Sequence, residues 1–186
     1  MLRIVSCVFI AMATLCVSNL ARAQEDYSRA GWYLGLGGVV AIPVSAEGEF
    51  TGLGARGGYR GKWGGGELHF EDLSGSETNY EWALTLEGKL YYLAGLEDLL
   101  PPLARRFQPF ATAGFGALYF DNRFRTNTPR SFSRRWDFAF RAGLGLDFYL
   151  TRNIAISVDG TYVLPMSKKL NHLDYGSVGW GLLFRF

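Results

Sequence analysis

Counting back in twos from the C-terminus, Phe186, Phe184, Leu182, Trp180 and Val178 are all apolar, while Arg185, Gly181 and Gly179 fall between them. A repeat of two marks a strand, whose successive side chains point to opposite faces. One face is greasy and the other carries a charge and glycines, which leaves two readings. The segment is either a half-buried strand at the end of a soluble sheet or the closing strand of a membrane barrel, with lipid on the apolar side and a polar lumen on the other. The rest of the chain has to choose between them.

The N-terminus carries Arg3, an apolar run from Ile4 to Val17, and then Ala21-Arg22-Ala23. These are the parts of a secretory signal peptide, cut after Ala23. The run is shorter than the roughly 20 residues a membrane-spanning helix takes. Residues 1–23 are therefore expected to be removed and residues 24–186 to form one domain. Cys7 and Cys16 leave with the signal, and Leu15 stands where a lipid-modified cysteine wants a small residue, so the mature chain holds no thiol for a disulfide or a metal. Arg3 and Arg22 leave too, which takes Lys+Arg from 19 to 17 against 17 Asp+Glu. A neutral chain lacks the basic excess of a nucleic-acid-binding domain. No cofactor or metal motif is legible.

Alternation recurs along the whole mature chain. Trp32, Leu34, Leu36, Gly38 and Val40 oppose Tyr33, Gly35, Gly37 and Val39, and a polar loop is expected at Ser45–Gly52. Leu53, Ala55, Gly57 and Tyr59 oppose Gly54, Arg56, Gly58 and Arg60; Gly61-Lys62 offers a tight turn. Gly66, Leu68 and Phe70 then oppose Glu67, His69 and Glu71, with a loop expected at Ser74–Asn79. Tyr80, Trp82, Leu84, Leu86, Leu90 and Tyr92 share one face, and Glu81, Thr85, Glu87, Lys89 and Tyr91 the other. The stretch from Leu93 to Arg106, with Leu99, Leu100, Pro101, Pro102 and Leu103, reads as a packed loop or a short amphipathic helical turn.

In the fifth segment, Phe107 to Phe120, the lipid face is expected to be Ala111, Ala113, Phe115, Ala117 and Tyr119, although its glycines would permit a bulge and a flipped register. A polar loop is expected at Asp121–Arg135. Phe138, Phe140, Ala142, Leu144, Leu146 and Phe148 then oppose Asp137, Arg141, Gly143, Gly145, Asp147 and Tyr149. After the turn Thr151-Arg152-Asn153, Ile154, Ile156, Val158 and Tyr162 oppose Ser157, Asp159 and Thr161, and the last loop is Pro165–Asp174.

Eight strands of about ten residues, joined alternately by short turns and longer loops apart from the 93–106 stretch, predict an all-β, eight-stranded, antiparallel up-and-down transmembrane barrel. A soluble barrel of the lipocalin kind has the opposite polarity, apolar inside and polar outside. Aromatic residues at strand ends (Trp32, Tyr80, Tyr92, Trp136, Phe148, Tyr162, Phe186) and nearly uncharged apolar faces favour lipid.

Four stretches carry a family likeness: G-W-Y-L-G-L-G-G at 31–38, G-Y-R-G-K-W-G at 58–64, R-F-Q-P-F-A-T-A-G-F-G-A at 106–117 and G-L-G-L-D-F-Y-L-T-R-N-I-A-I at 143–156. The sequence resembles the small outer-membrane β-barrel proteins of the OmpA-like and porin-like group of Gram-negative bacteria. The closing stretch, Val178, Trp180, Leu182, Phe184 and Phe186, looks like the C-terminal signal read by the barrel assembly machinery. Unlike full-length OmpA, this sequence shows no peptidoglycan-binding domain after the barrel. The resemblance is architectural and identifies fold better than function.

In this register the lumen receives Arg56, Arg60, Lys89, Arg141 and Arg185 together with Glu67, Glu71, Glu81, Glu87, Asp137, Asp147 and Asp159, and His69 among them. Confined charges have to be paired or hydrated, and an eight-stranded barrel is only wide enough for its own side chains or one small ligand. A salt-bridge plug is thus expected ahead of a narrow porin-like channel for small solutes. A lipid A-modifying enzyme ranks third: it needs a serine with histidine and carboxylate at the interface, whereas His69 has no serine beside it, and His172 lies only loosely near Ser167, Asp174 and Ser177. No catalytic residue is assigned. Arg123, Arg125, Arg130, Arg134 and Arg135 against Asp121 would suit lipopolysaccharide phosphates, which arginine forks bind bidentately; a solvated loop is the plain alternative.

Overall fold

The computed structural model describes residues 27, 29–44, 49–75, 79–93, 95–96, 99–122, 133–166 and 174–186. Eight strands make up nearly all of it: β1 (Gly31–Pro43), β2 (Phe50–Arg60), β3 (Gly64–Gly75), β4 (Asn79–Tyr91), β5 (Phe107–Asn122), β6 (Ser133–Tyr149), β7 (Ile154–Pro165) and β8 (Tyr175–Arg185). Each pairs antiparallel with the next, and β1 pairs with β8, so the sheet closes on itself in sequence order. Closure leaves no strand edge with unpaired backbone groups, which is the condition for crossing a bilayer with strands.

The expected faces hold wherever the side chains are described. Outward residues such as Leu36, Leu53, Leu86, Phe138 and Leu144 are exposed, while the residues between them turn into the barrel and are buried. On β5 the ladders to β4 and β6 run without a break, so Thr112 and Leu118 face inward and Ala113 and Phe115 outward. The flipped register is not adopted.

The strands run to 11–17 residues, longer than the ten or so that hydrophobic alternation suggests. Polar residues and glycines at strand ends are drawn into the ladder by their neighbours, because main-chain pairing does not depend on side-chain polarity. The loop expected at Ser45–Gly52 accordingly ends early, since Phe50, Thr51 and Gly52 pair with Gly75, Ser74 and Leu73. The loop expected at Ser74–Asn79 shrinks for the same reason. So does the one expected at Asp121–Arg135: Asp121 pairs with Arg134 and Phe120 with Arg135, which puts Arg134 and Arg135 in β6 and not in a loop. Arg123, Arg125 and Arg130 lie outside the described residues.

One mouth of the barrel is bordered by the strand termini, the turn at 61–63, the turn at 150–153 and the 92–106 connection, which ends in a single 3-10 turn at Ala104–Arg106. Gly95 has a φ of 84° and lies where a side chain would strike the Trp63 indole, so this connection is pressed against the β2–β3 turn. At the opposite mouth the paired strand ends are Ala41 with Phe50, Ser74 with Tyr80, Asn122 with Ser133 and Val163 with Tyr175. Among outer-membrane barrels the short-turn end is periplasmic and the loop end external.

Candidate functional site

Inward residues fall into three tiers along the lumen. At the loop end Val39, Ala41, Leu73, Ala83, Leu118, Ala139, Val163 and Tyr175 form one buried apolar cluster, with Phe50 packed against it. Glu81 enters this tier beside Tyr175 and Glu71. Asp137 shares the inward parity but is only half-buried at the rim, its carboxylate accepting the Phe138 N–H at 2.8 Å.

The middle tier is charged. Arg56 donates to Asp159 at 2.8 Å, joining β2 to β7 across the barrel. Arg141 on β6 lies 2.7 Å from Glu71, 3.3 Å from Glu87 and 3.8 Å from Asp159. Its N–H groups make no well-directed hydrogen bond, so these pairs are held by charge more than by geometry. His69 stands between two carboxylates, Nδ1 at 3.4 Å from Glu87 and Nε2 at 3.7 Å from Glu71. Glu87 also accepts the hydroxyls of Thr85 and Thr112, each at 2.7 Å. A neighbouring pair is self-contained: Glu67 accepts the Lys89 ammonium at 2.8 Å and the Tyr33 hydroxyl at 2.6 Å.

Toward the short-turn end the polar groups stand among aromatic rings. Arg60 donates to the Tyr149 hydroxyl at 2.5 Å and to Gln108 at 3.0 Å, and its guanidinium lies 3.8 Å above the Tyr91 ring. Tyr91 in turn reaches Asp147 at 3.4 Å. Arg185 donates to the carbonyls of Tyr27, Arg29 and Arg152, tying the segment before β1 to the β6–β7 turn, and Tyr27 packs on Tyr149.

All the lumen residues read from the sequence therefore face inward, and Arg56, His69, Glu71, Glu87, Arg141 and Asp159 come together as one network. Sequence reasoning did not assign Tyr27, Tyr33, Gln108 or the apolar tier to the lumen site. Parity alone would have found Leu73, Leu118 and Val163, since each continues the inward set of its strand. Glycines make room for the long side chains: at Gly35 a Cβ would strike Leu183 and Arg56, and at Gly145 it would strike the Phe110 ring.

Glu67, His69 and Glu87 present metal-ligand atoms within 4.8 Å of one another. Lys89 and Arg141 already neutralise those carboxylates, and a divalent ion would have to displace both. Neither nitrogen of His69 is aimed at an exposed serine or at the surface. His172 and Ser167 lie outside the described residues. The proposed assembly-signal residues Val178, Trp180, Leu182, Phe184 and Phe186 are all exposed on the outer face.

The outer membrane protein beta-barrel domain family has a model that matches residues 7–186. Among solved structures, the N-terminal β-barrel domain of Pseudomonas aeruginosa OprF aligns with a TM-score of 0.59 at 14% identity, covering 85% of this chain and 100% of that one. Neisserial surface protein A gives a TM-score of 0.64 at 14% identity over 85% and 99% of the two chains. Pseudomonas aeruginosa OprG gives 0.64 at 16% identity over 85% and 97%. At such identities the likeness is one of fold. No curated protein matches. The greasy exterior, the closed eight-stranded sheet and the match across nearly the whole chain agree: this chain belongs to the outer membrane protein beta-barrel domain family and associates with outer-membrane lipid.

Proposed function

We propose that the protein is a non-enzymatic barrel with a structural or envelope-interaction role, its lumen closed by its own side chains. The supporting observation is that charged groups bond across the lumen, Arg56 to Asp159 and Arg141 to Glu71 and Glu87, and are all buried. Above them lies a mostly apolar tier whose buried carboxylate, Glu81, stands against Tyr175. In planar bilayers the refolded protein should give no defined single-channel steps. Steady ohmic steps would favour the narrow channel for small solutes instead.

The same reading takes residues 1–23 as a cleaved signal peptide and 24–186 as the inserted domain. The strand ending at Phe186 serves as the address read by the barrel assembly machinery, so a chain lacking Phe186 should insert poorly. Arg123, Arg125, Arg130, Arg134 and Arg135 are proposed to meet lipopolysaccharide phosphates, with Arg134 and Arg135 carried by the β6 end of the hairpin. Unchanged lipopolysaccharide co-purification after replacing all five arginines would remove that part of the proposal.

A further inference from the structure

The chain just before β1 is packed into the short-turn mouth. Tyr27 is only 5% exposed and forms a buried cluster with Tyr33 of β1, Tyr149 of β6, Ala155 of β7 and Leu183 of β8. Its ring lies 5.6 Å from that of Tyr149, and the Arg106 guanidinium stands 5.7 Å from its centre. In a closed ring of eight strands β1 and β5 lie opposite one another, and Arg106 ends the 3-10 turn that leads into β5. A ring carried by the β1 end of the chain therefore meets a cation from the far wall, at a distance where the two attract. Tyr149, on which Tyr27 rests, also accepts the Arg60 N–H, so the segment lies over the Arg60 group.

Arg185, the last residue of β8, holds the same segment by its main chain. Its own backbone is anchored on the β6–β7 turn: the Arg185 N–H donates to the Asn153 carbonyl at 2.7 Å, and the Arg185 carbonyl accepts the Asn153 side-chain amide at 2.6 Å. From that fixed base the guanidinium donates to the carbonyls of Tyr27 at 2.8 Å, Arg29 at 3.1 Å and Arg152 at 2.6 Å, and it lies 4.9 Å from the centre of the Tyr149 ring. A planar, permanently charged fork suits this task, because it is rigid and its charge-assisted bonds are stronger than neutral ones. Bonds to carbonyls fix the course of a chain whatever its side chains; the Tyr27 ring adds the contact that depends on sequence. We infer that the short-turn mouth is a peptide-binding site that the protein fills with its own segment before β1, Tyr27 acting as the stopper and Arg185 as the latch. The ligand class is a stretch of main chain bearing one aromatic side chain. This seal lies at the mouth, beneath the charged tier, and stands whether or not that tier conducts.

Two measurements on protein purified from outer membranes in mild detergent test the strap, with heat-dependent gel mobility as the check that each variant is folded. A protease cuts a packed segment only as often as it opens. Chymotryptic cleavage after Tyr27, identified by mass, should be slow in the unsubstituted barrel and about tenfold faster or more in Arg185→Gln, the scale set by losing hydrogen bonds from a charged group. Arg185→Lys keeps the charge but loses the fork, and it carries the same prediction should the glutamine variant fail to fold. An unchanged rate in a folded variant overturns the latch. For the stopper, Ala155→Cys is placed in a chain with Cys7→Ser and Cys16→Ser; position 155 is 1% exposed within the Tyr27 cluster. Its thiol should resist a small water-soluble reagent, and adding Tyr27→Ala should abolish that protection. Slow labelling with and without the Tyr27 ring overturns the stopper, and so does fast labelling in both.

Discussion

Two parts of the lumen close the same barrel by opposite means. The loop-end tier is mostly apolar: Leu73, Leu118 and Ala139 are fully buried, and apart from Glu81 beside Tyr175 closure there follows from packing. The middle tier spends charges on the same task, with Arg56, Arg141, Glu71, Glu87 and Asp159 withdrawn from water. A buried ion-pair network stabilises little in net terms, because desolvation offsets the Coulomb attraction. Sealing therefore does not explain why the middle is charged. Charges give that tier what an apolar plug lacks, a unique set of partners across strands.

Single removals should expose the contrast most strongly. Replacing Arg141 with Met strands Glu71 and Glu87 without their guanidinium and should cost about 3–5 kcal/mol, the penalty for orphaning a buried charge. Urea unfolding in detergent would measure it, and a loss below about 1 kcal/mol would mean that the tier is well hydrated. Leu73→Ala in the apolar tier should lose about 2–5 kcal/mol through the cavity it leaves; a loss near zero would mean that the tier is loosely packed.

A paired replacement sharpens the comparison. Arg56→Met with Asp159→Leu removes one cation and one anion together, so it should be milder than Arg56→Met alone, by about 2 kcal/mol or more if the single variant behaves as a broken buried pair. Equal losses would show that the partners do not act as a unit. Smallest should be Thr161→Val, which removes a neutral hydrogen bond to Ser177, 2.7 Å long, and should cost about 1 kcal/mol.

Much of this was legible in the sequence because a barrel has only one spatial rule along each strand. Once Trp32, Leu68, Leu86 and Phe184 are placed outward, every second residue is placed inward, and Arg56, His69, Glu87 and Arg141 follow. What parity does not contain is height. Arg56 and Asp159 are 103 positions apart and meet only after the β1–β8 seam fixes the stagger of all the strands. For the same reason nothing local marks Tyr33 as the partner of Glu67 or Tyr149 as the partner of Arg60. The apolar tier was hidden by a different cause: Leu73 and Leu118 continue the inward parity of β3 and β5, but an inward leucine does not stand out in a lumen recognised by its charges.

The closed lumen is tested most directly by a thiol placed inside it. Ser157 is 0% exposed below the charged network, within 3.4 Å of Arg56, and serine to cysteine changes little volume. In liposomes, a Ser157→Cys barrel lacking the signal segment and its two cysteines should resist a small water-soluble thiol reagent until it is unfolded, while Asn153→Cys in the exposed turn reacts at once. Labelling of the folded Ser157→Cys barrel as fast as the turn variant would contradict the account, because water and reagent would then pass where the side chains are said to close the way.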